Sequence, residues 1–568
     1  MDNELKKKIR GIALLNAAEH EGKTRNDAVI SKILGSRPDL RSKTKEIIPL
    51  IDQVISEINK LSIDEQRSEL ENSFPELLKI NPKQERTGLP PLEDADVGRV
   101  VTRFPPEPNG YPHIGHAKAA IIDEEYARMY EGKLILRFDD TNPENERLEY
   151  YAAIKAGLDW LGVKYDMTKN TSDDMELIYK KGRELIESNN AYVCTCDKET
   201  ISKNRRDMRE CKCSLDDLDQ NIKRWQDMFE EYKPGEAIVR FRGDMHSENT
   251  VMRDPTLFRI IDETHPLHLN KYRVWPNYDF AVAIEDSIDG VTHAFRTKEY
   301  ELRNELYDSI LDKLAMRKPK VLEFSRLEFE GMPVSKRILK PLVEDGKVSG
   351  YDDPRLPTLE ALRRRGIVPE AIRKFVLSLS FTKSDTLAPF ATLESFNRKI
   401  VDATSIRLFL VKDETRLKVK NNHLKFVEIP NHPQREMGKR RIELDDNFFI
   451  SSDDAKSLQV GDQIRLMGLY NIKISKVGSE IEAEYGGDDF KGDFPKIQWI
   501  PQKTAVKINI LIPKVLFLNE KFNENSLESI QVLTESHYLE LNEGSEIQFI
   551  RFGYCRKDSA TQAIYTHK

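Results

Sequence analysis

Residues 103–118 read Arg-Phe-Pro-Pro-Glu-Pro-Asn-Gly-Tyr-Pro-His-Ile-Gly-His-Ala-Lys. A chain has few ways to accommodate this stretch and its flanks. Gly98–Phe104 is short, β-branched and apolar, which predicts a buried strand. Pro105, Pro106, Pro108 and Gly110 then forbid regular structure. From Ile114, apolar Ala117, Ile121, Ile122, Tyr126 and Met129 recur at three- and four-residue intervals, predicting a helix that Gly132 terminates. Lys133–Asp140 reads as a second strand. Strand, helix and strand make a βαβ unit, so a parallel sheet is expected. Ligands of such sheets bind beyond the carboxyl ends of the strands.

The chemistry of that position follows from its residues. A helix starting at Gly115 offers unpaired N–H groups and a positive dipole end to an anion. His113 and His116 are three apart and share a helix face, so both imidazoles are expected at one phosphate. The layout predicts a nucleoside triphosphate pocket built without a P-loop lysine.

At 568 residues the chain exceeds one core, and roughly three to five domains are expected. Hydrophobic content of 39% and charged content of 33% fit a soluble globular protein. No run approaches the length of a membrane span, and Gly11–Ala18 is too short and interrupted for a secretory core, so a cytoplasmic location is expected. The net charge of −7 argues neither for nor against a nucleic-acid partner, which local basic patches can hold.

Four of the five cysteines cluster as Cys194, Cys196, Cys211 and Cys213. Two close thiol pairs suit tetrahedral Zn²⁺, with free reduced thiols as the alternative. Cys555 stands apart and reads as a packed strand residue. Residues 1–80 look helical and charged, as in Lys45–Leu61, with apolar Ile47, Ile48, Ile51, Val54, Ile55 and Ile58. A polar, proline-containing linker follows over Pro82–Val97. Val343–Val411 reads as helical, and Arg363–Arg365 within it as a phosphate contact or an exposed basic face. From about residue 424 the apolar period becomes two, predicting an all-β region of two barrels.

His113-Ile-Gly-His116 resembles the signature tetrapeptide of class I aminoacyl-tRNA synthetases. The flanking Phe-Pro-Pro-Glu-Pro-Asn-Gly-Tyr and Arg137-Phe-Asp-Asp-Thr-Asn-Pro143 are similar to the glutamyl/glutaminyl branch. So are Val251–Pro255, Trp275–Phe280, Gly290–His293 and Tyr351–Leu359, in order along the chain. The family's Ser-Lys loop maps onto Pro333–Arg337, with Pro333 in place of the first lysine of the commonest form. The resemblance covers about residues 96–568.

The resemblance implies a multidomain protein with a Rossmann-type α/β catalytic core. Residues 1–95 would be a helical N-terminal module and linker, and 96–340 the catalytic domain. Residues 191–265 would be an insertion gripping the tRNA acceptor arm, 341–415 a helical connecting domain and 416–568 anticodon-binding β-barrels. The implied catalytic residues are His113, His116, Ser335 and Lys336, with Pro105, Asn109, Gly115 and Arg337 at ATP. Arg103, Asp139, Tyr278 and Arg296 would hold the amino acid: Asp139 the ammonium, the two arginines the carboxylates. Arg296 stands where glutaminyl relatives have a small uncharged residue, which favours glutamate. Glutamate–tRNA ligase is therefore expected, with ATP and Mg²⁺ and with tRNA(Glu) as acceptor, tRNA(Gln) remaining open. A glutamine–tRNA ligase and a non-catalytic tRNA-binding scaffold are the alternatives. Some glutamyl enzymes carry a zinc knuckle in the same insertion, which favours Zn²⁺ at the four cysteines. Apart from the resemblance, such an N-terminal module binds a protein partner or RNA, or merely solvates the enzyme.

Overall fold

The structure, a computed structural model, describes residues 3–19, 44–74, 89–379, 381–489 and 494–568, together with 23, 24, 26, 29, 30 and 33. The chain divides into two compact units, Met1–Leu89 and Pro90–Lys568. The linker expected from Pro82 lies outside the described residues as far as residue 88.

The first unit is helical. Helices α1 (Asn3–Glu19), α2 (Thr44–Ile58) and α3 (Ile63–Ser73) enclose a core of Ile9, Ala13, Ile47, Ile51, Val54, Ile55 and Ile58. The three- and four-residue spacing of those isoleucines is what buries them together. Ser62 and Glu65 form a capping box that starts α3. Arg10 on α1 donates to Glu57 and Glu69, at 3.0 and 2.9 Å through its two terminal nitrogens.

The second unit opens with the expected βαβ motif. Strand β1 (Val101–Phe104) pairs in parallel with β2 (Lys133–Phe138), and β2 with β3 (Met167–Asn170). Helix α4 (Ile114–Met129) crosses between β1 and β2. Gly132 is needed for a reason other than a left-handed helix end. Met129 ends the helix, and Glu131 takes the positive φ of 48°. A Cβ on Gly132 would lie 2.0 Å from the carbonyl oxygen of Val100, so only glycine lets the chain turn this close to β1.

A four-stranded antiparallel sheet interrupts the parallel one: β4 (Ala191–Cys194), β5 (Ile238–Phe241), β6 (Thr256–Ile260) and β7 (Val274–Pro276). Helix α5 (Tyr278–Ile288) then returns the chain to β8 (His293–Thr297), which pairs in parallel with β9 (Lys320–Phe324). The N–H of Thr292 donates to the carbonyl of Val101 at 2.9 Å, which sets this pair beside β1. Helix α6 (Lys336–Glu344) follows the Ser-Lys loop.

Residues 343–411 are not all helical. Helices Leu359–Arg365, Pro369–Ser378 and Phe390–Val401 are present, but Thr386–Ala388 is a strand paired in parallel with Leu327–Phe329. Strands also begin before residue 424, at Ile406–Leu408, Leu410–Val411 and Glu414–Lys420. Short strands whose partners are far away in sequence carry too few alternations to register as a period. The C-terminal region holds two seven-stranded sheets. One joins 406–411 to strands between 506 and 567, while the other takes its strands from 414–501. Cys555 is packed in the first, as expected. Arg364 is held by Asp558 and Asp352, and Arg365 is buried against Glu394, so neither presents a free phosphate contact.

Candidate active site

A cavity of about 820 Å³ opens at the carboxyl ends of the parallel strands, as the βαβ reading requires. Pro105, Asn109, His113, Gly115, His116, Asp139, Tyr278, Ser335 and Lys336 all line it. Residues separated by more than 200 positions therefore meet at one site.

His113 is the N-cap of α4, and its Nδ1 accepts the N–H of Gly115 at 3.1 Å. His116 Nδ1 accepts the N–H of His113 at 3.2 Å, completing a reciprocal cap. Gly115 makes room for this: a Cβ there would lie 2.9 Å from His113 Cε1. The geometry corrects the expectation that free helix amides receive the anion. The N–H groups of His113 and Gly115 are taken by the imidazoles, and that of Ile114 by Pro357 O at 3.0 Å. With each Nδ1 an acceptor, each neutral ring carries its proton on Nε2, so two N–H donors replace the amides. Burial lowers the pKa of His116 to about 4. Burial and then His116 itself push His113 well below the usual imidazole value. Both rings are neutral donors at pH 7.

Lys336 reaches the cavity from α6. Its Nζ donates to the carbonyl of Asn109 and lies 5.8 Å from the centre of the Tyr150 ring. Ser335 is the residue before the helix and caps it without a side-chain hydrogen bond. Arg337 is exposed and does not line the cavity.

The amino-acid side differs from expectation. Arg103 and Arg296, the expected carboxylate partners, are both buried and stand outside the cavity lining. The reason is a shared counter-ion. Asp286 on α5 accepts from Arg103 Nε at 2.9 Å and from Tyr307 at 3.1 Å. Arg137 Nη2 lies 2.9 Å from the same carboxylate and Arg296 Nη2 3.9 Å from it. Buried charge is tolerable only when paired, so one carboxylate draws three guanidiniums inward. Burial alone would raise the pKa of Asp286, but Arg103, Arg137 and Arg296 outweigh it and bring it to about 2.

The pairing is incomplete. Arg103 Nη2 and Arg296 Nε and Nη2 are buried without a hydrogen-bond partner, and the Arg296 guanidinium lies 4.2 Å from the centre of the Tyr307 ring. Asp139 accepts from Arg137 Nε at 3.0 Å and Thr171 Oγ1 at 3.1 Å through one oxygen, while its other oxygen is buried and unpaired. Unsatisfied cationic donors and an unsatisfied carboxylate oxygen flank the same wall, beside Tyr278. Buried polar groups are normally satisfied, so charges of both signs are left underpaired at this wall. Sequence reasoning missed Asp286 and Arg137. Each carried a signal, an ionisable residue inside an apolar run: Ala-Val-Ala-Ile-Glu-Asp on α5 and Leu-Ile-Leu-Arg-Phe on β2.

Cys194, Cys196, Cys211 and Cys213 converge at the start of the inserted sheet, all buried, their sulfurs within 4.8 Å of one another. Three of the S···S separations are 3.5, 3.5 and 3.8 Å. A tetrahedron of thiolates about 2.3 Å from zinc has edges of about 3.8 Å, so the donor set and its size fit Zn²⁺.

The class I (E and Q) tRNA synthetase catalytic-domain model matches residues 99–403. Two anticodon-binding-domain models of the same group match 405–486 and 496–558. Fold and site are thus those of a class I aminoacyl-tRNA synthetase. Full-length relatives include proteins named glutamate–tRNA ligase in Nitrosopumilus maritimus, 62% identical over 100% of both chains, and Cenarchaeum symbiosum, 57% identical over 98% of each. Another, from Pyrococcus furiosus, is 39% identical over 100% of each. The chain belongs to the glutamyl and glutaminyl (E and Q) family of class I tRNA synthetases.

Proposed function

We propose that this protein is a glutamate–tRNA ligase that activates glutamate with ATP and transfers it to the 3′ end of tRNA(Glu). The observation that carries the choice of amino acid is Arg296, buried with two guanidinium nitrogens that have no hydrogen-bond partner and only a 3.9 Å ion pair with Asp286. A neutral carboxamide would leave that cation underpaired, whereas a carboxylate completes it. Asp139 takes the ammonium through its unpaired oxygen. The α-carboxylate oxygen attacks the α-phosphorus of ATP, the bond to the β,γ-phosphates breaks, and pyrophosphate leaves. His113 and His116 donate their Nε2–H groups to phosphate oxygens as charge builds on them, and Lys336 moves from Asn109 O to the leaving pyrophosphate. A terminal ribose hydroxyl of tRNA then attacks the activated carbonyl carbon and AMP leaves. Mg²⁺ bound with ATP would neutralise phosphate charge. Zn²⁺ at the four cysteines would hold the inserted sheet in shape for the acceptor arm.

Charging assays with glutamate and glutamine on tRNA(Glu) and tRNA(Gln) test the reading. Glutamate is expected to be preferred by about 10⁴-fold or more in kcat/KM, as in sites built on a polar match. Arg296→Cys is expected to narrow that ratio sharply. A parent preference for glutamine, or a ratio unmoved by the substitution, overturns it.

A further inference from the structure

One imidazole ties the inserted sheet to the amino-acid side of the cavity. His265 is completely buried at the start of the turn His265–Leu269, which two main-chain hydrogen bonds close at 3.0 and 2.9 Å. Its Nδ1 accepts the N–H groups of Leu267 and His268, both at 3.1 Å. That leaves its proton on Nε2, which is directed at the carbonyl of Asp140 at 3.1 Å, with Glu146 Oε2 at 3.2 Å. The ring stacks on Trp275, at 5.0 Å and 20° between planes.

Asp140 belongs to the loop whose Asp139, Thr141 and Asn142 line the cavity. Glu146 accepts the N–H of Asn142 at 2.6 Å. Arg259, also from the inserted sheet, donates to Thr141 O at 3.3 Å and to Asn277 Oδ1 at 2.6 Å. Two consecutive carbonyls of the loop therefore hang on side chains of the insertion. The far end of the turn is bare. Leu267 is 41% and Leu269 65% exposed, and Leu269 takes a φ of 55°. That left-handed conformation is unfavourable for a residue with a side chain. A strained apolar tip thus stands on a buried, hydrogen-bonded base.

We propose that His265 is a positioning residue that makes the turn closing the insertion and the amino-acid pocket one mechanical unit. Displacing the turn moves the two N–H groups that hold Nδ1, and with the ring goes the hydrogen bond that fixes the loop bearing Asp139 and Asn142. The inference rests on reading the insertion as the acceptor-arm grip and Asp139 as the ammonium partner.

The two ring nitrogens can be separated by substitution. Asparagine retains an acceptor at the Nδ1 position but falls short of Asp140, whereas glutamine places an N–H near the Nε2 position. Hydrogen exchange is expected to rise across residues 139–146 in H265N and to return to the parent level in H265Q. The KM for glutamate in charging is expected to rise about tenfold in H265N, with tRNA Kd within about threefold of the parent and recovery in H265Q. Should H265N not fold, E146A removes the acceptor that holds the Asn142 N–H and is expected to raise exchange in the same segment. Unchanged exchange at 139–146, or losses in both His265 variants that merely follow Tm, overturns the proposal. A parent protein that charges no glutamate overturns the proposed function instead, and the exchange result still decides this one.

Discussion

The carbonyl oxygen of Gly331 accepts a hydrogen bond from the main-chain N–H of Phe517 at 3.0 Å. Gly331 opens the Ser-Lys loop, and Phe517 belongs to the C-terminal β region. The two segments share a core in which Leu339 and Leu342 of α6 pack with Leu516, Phe517 and Phe522. Gly331 has a φ of 67°, and a Cβ there would lie 2.3 Å from Val515 Cγ1 and 2.5 Å from Phe517 O. Gly331→Val is therefore expected to push the loop away from Val515 and Phe517 and misplace Lys336. Charging is expected to fall by about 10²-fold, the scale of an ångström-level misplacement. Single-turnover adenylate formation checks this, and near-normal rates would show that the contact does not position the loop.

The phosphate-side donors give a second expectation. His116→Ala or Lys336→Ala is expected to lower kcat for glutamate-dependent pyrophosphate exchange by about 10²- to 10³-fold, the scale of losing one preorganised donor. The tRNA Kd is expected to hold, because neither side chain belongs to the β region. His116→Ala also removes the acceptor for His113 N–H, so His116→Asn, which retains one, separates capping from catalysis.

Acid conditions probe the same imidazole. Its pKa is about 4 in the folded protein and about 6.5 in an unfolded chain. Between those values the unfolded state binds the proton and the folded state does not, so stability falls as pH drops through this window. Above about pH 6.5 the histidine contributes nothing to the pH dependence. His116→Asn is expected to lose less Tm than the parent between pH 6.5 and 4 and to run parallel to it above that range. Parallel curves throughout would place an ordinary imidazole at residue 116.

Metal removal tests the cysteine cluster. Protein purified without chelators is expected to contain roughly one Zn²⁺ per chain, and Cys211→Ser to contain far less. Chelation is expected to loosen the sheet of residues 191–276 while leaving the ATP pocket formed, seen as selective proteolysis of that segment. Zinc content near zero in the parent would identify the four as free thiols.

Local pattern decided much of this protein. Pro105, Pro106, Pro108 and Gly110 stop one strand, and the spacing from Ile114 to Met129 starts one helix, whatever surrounds them. The cysteine pairs, too close in sequence to scatter, and the isoleucines of α2 at three- and four-residue spacing were legible for the same reason. Tertiary structure alone decided the electrostatics. Nothing local in β1, β2, α5 or β8 says that Arg103, Arg137 and Arg296 share Asp286, because the pairing exists only once four elements are packed around one buried carboxylate. The same holds for the imidazole tautomers, set by main-chain N–H groups that come into place only when the chain turns. Periodicity reports which face of an element avoids water, and it carries no information about which buried charge meets which.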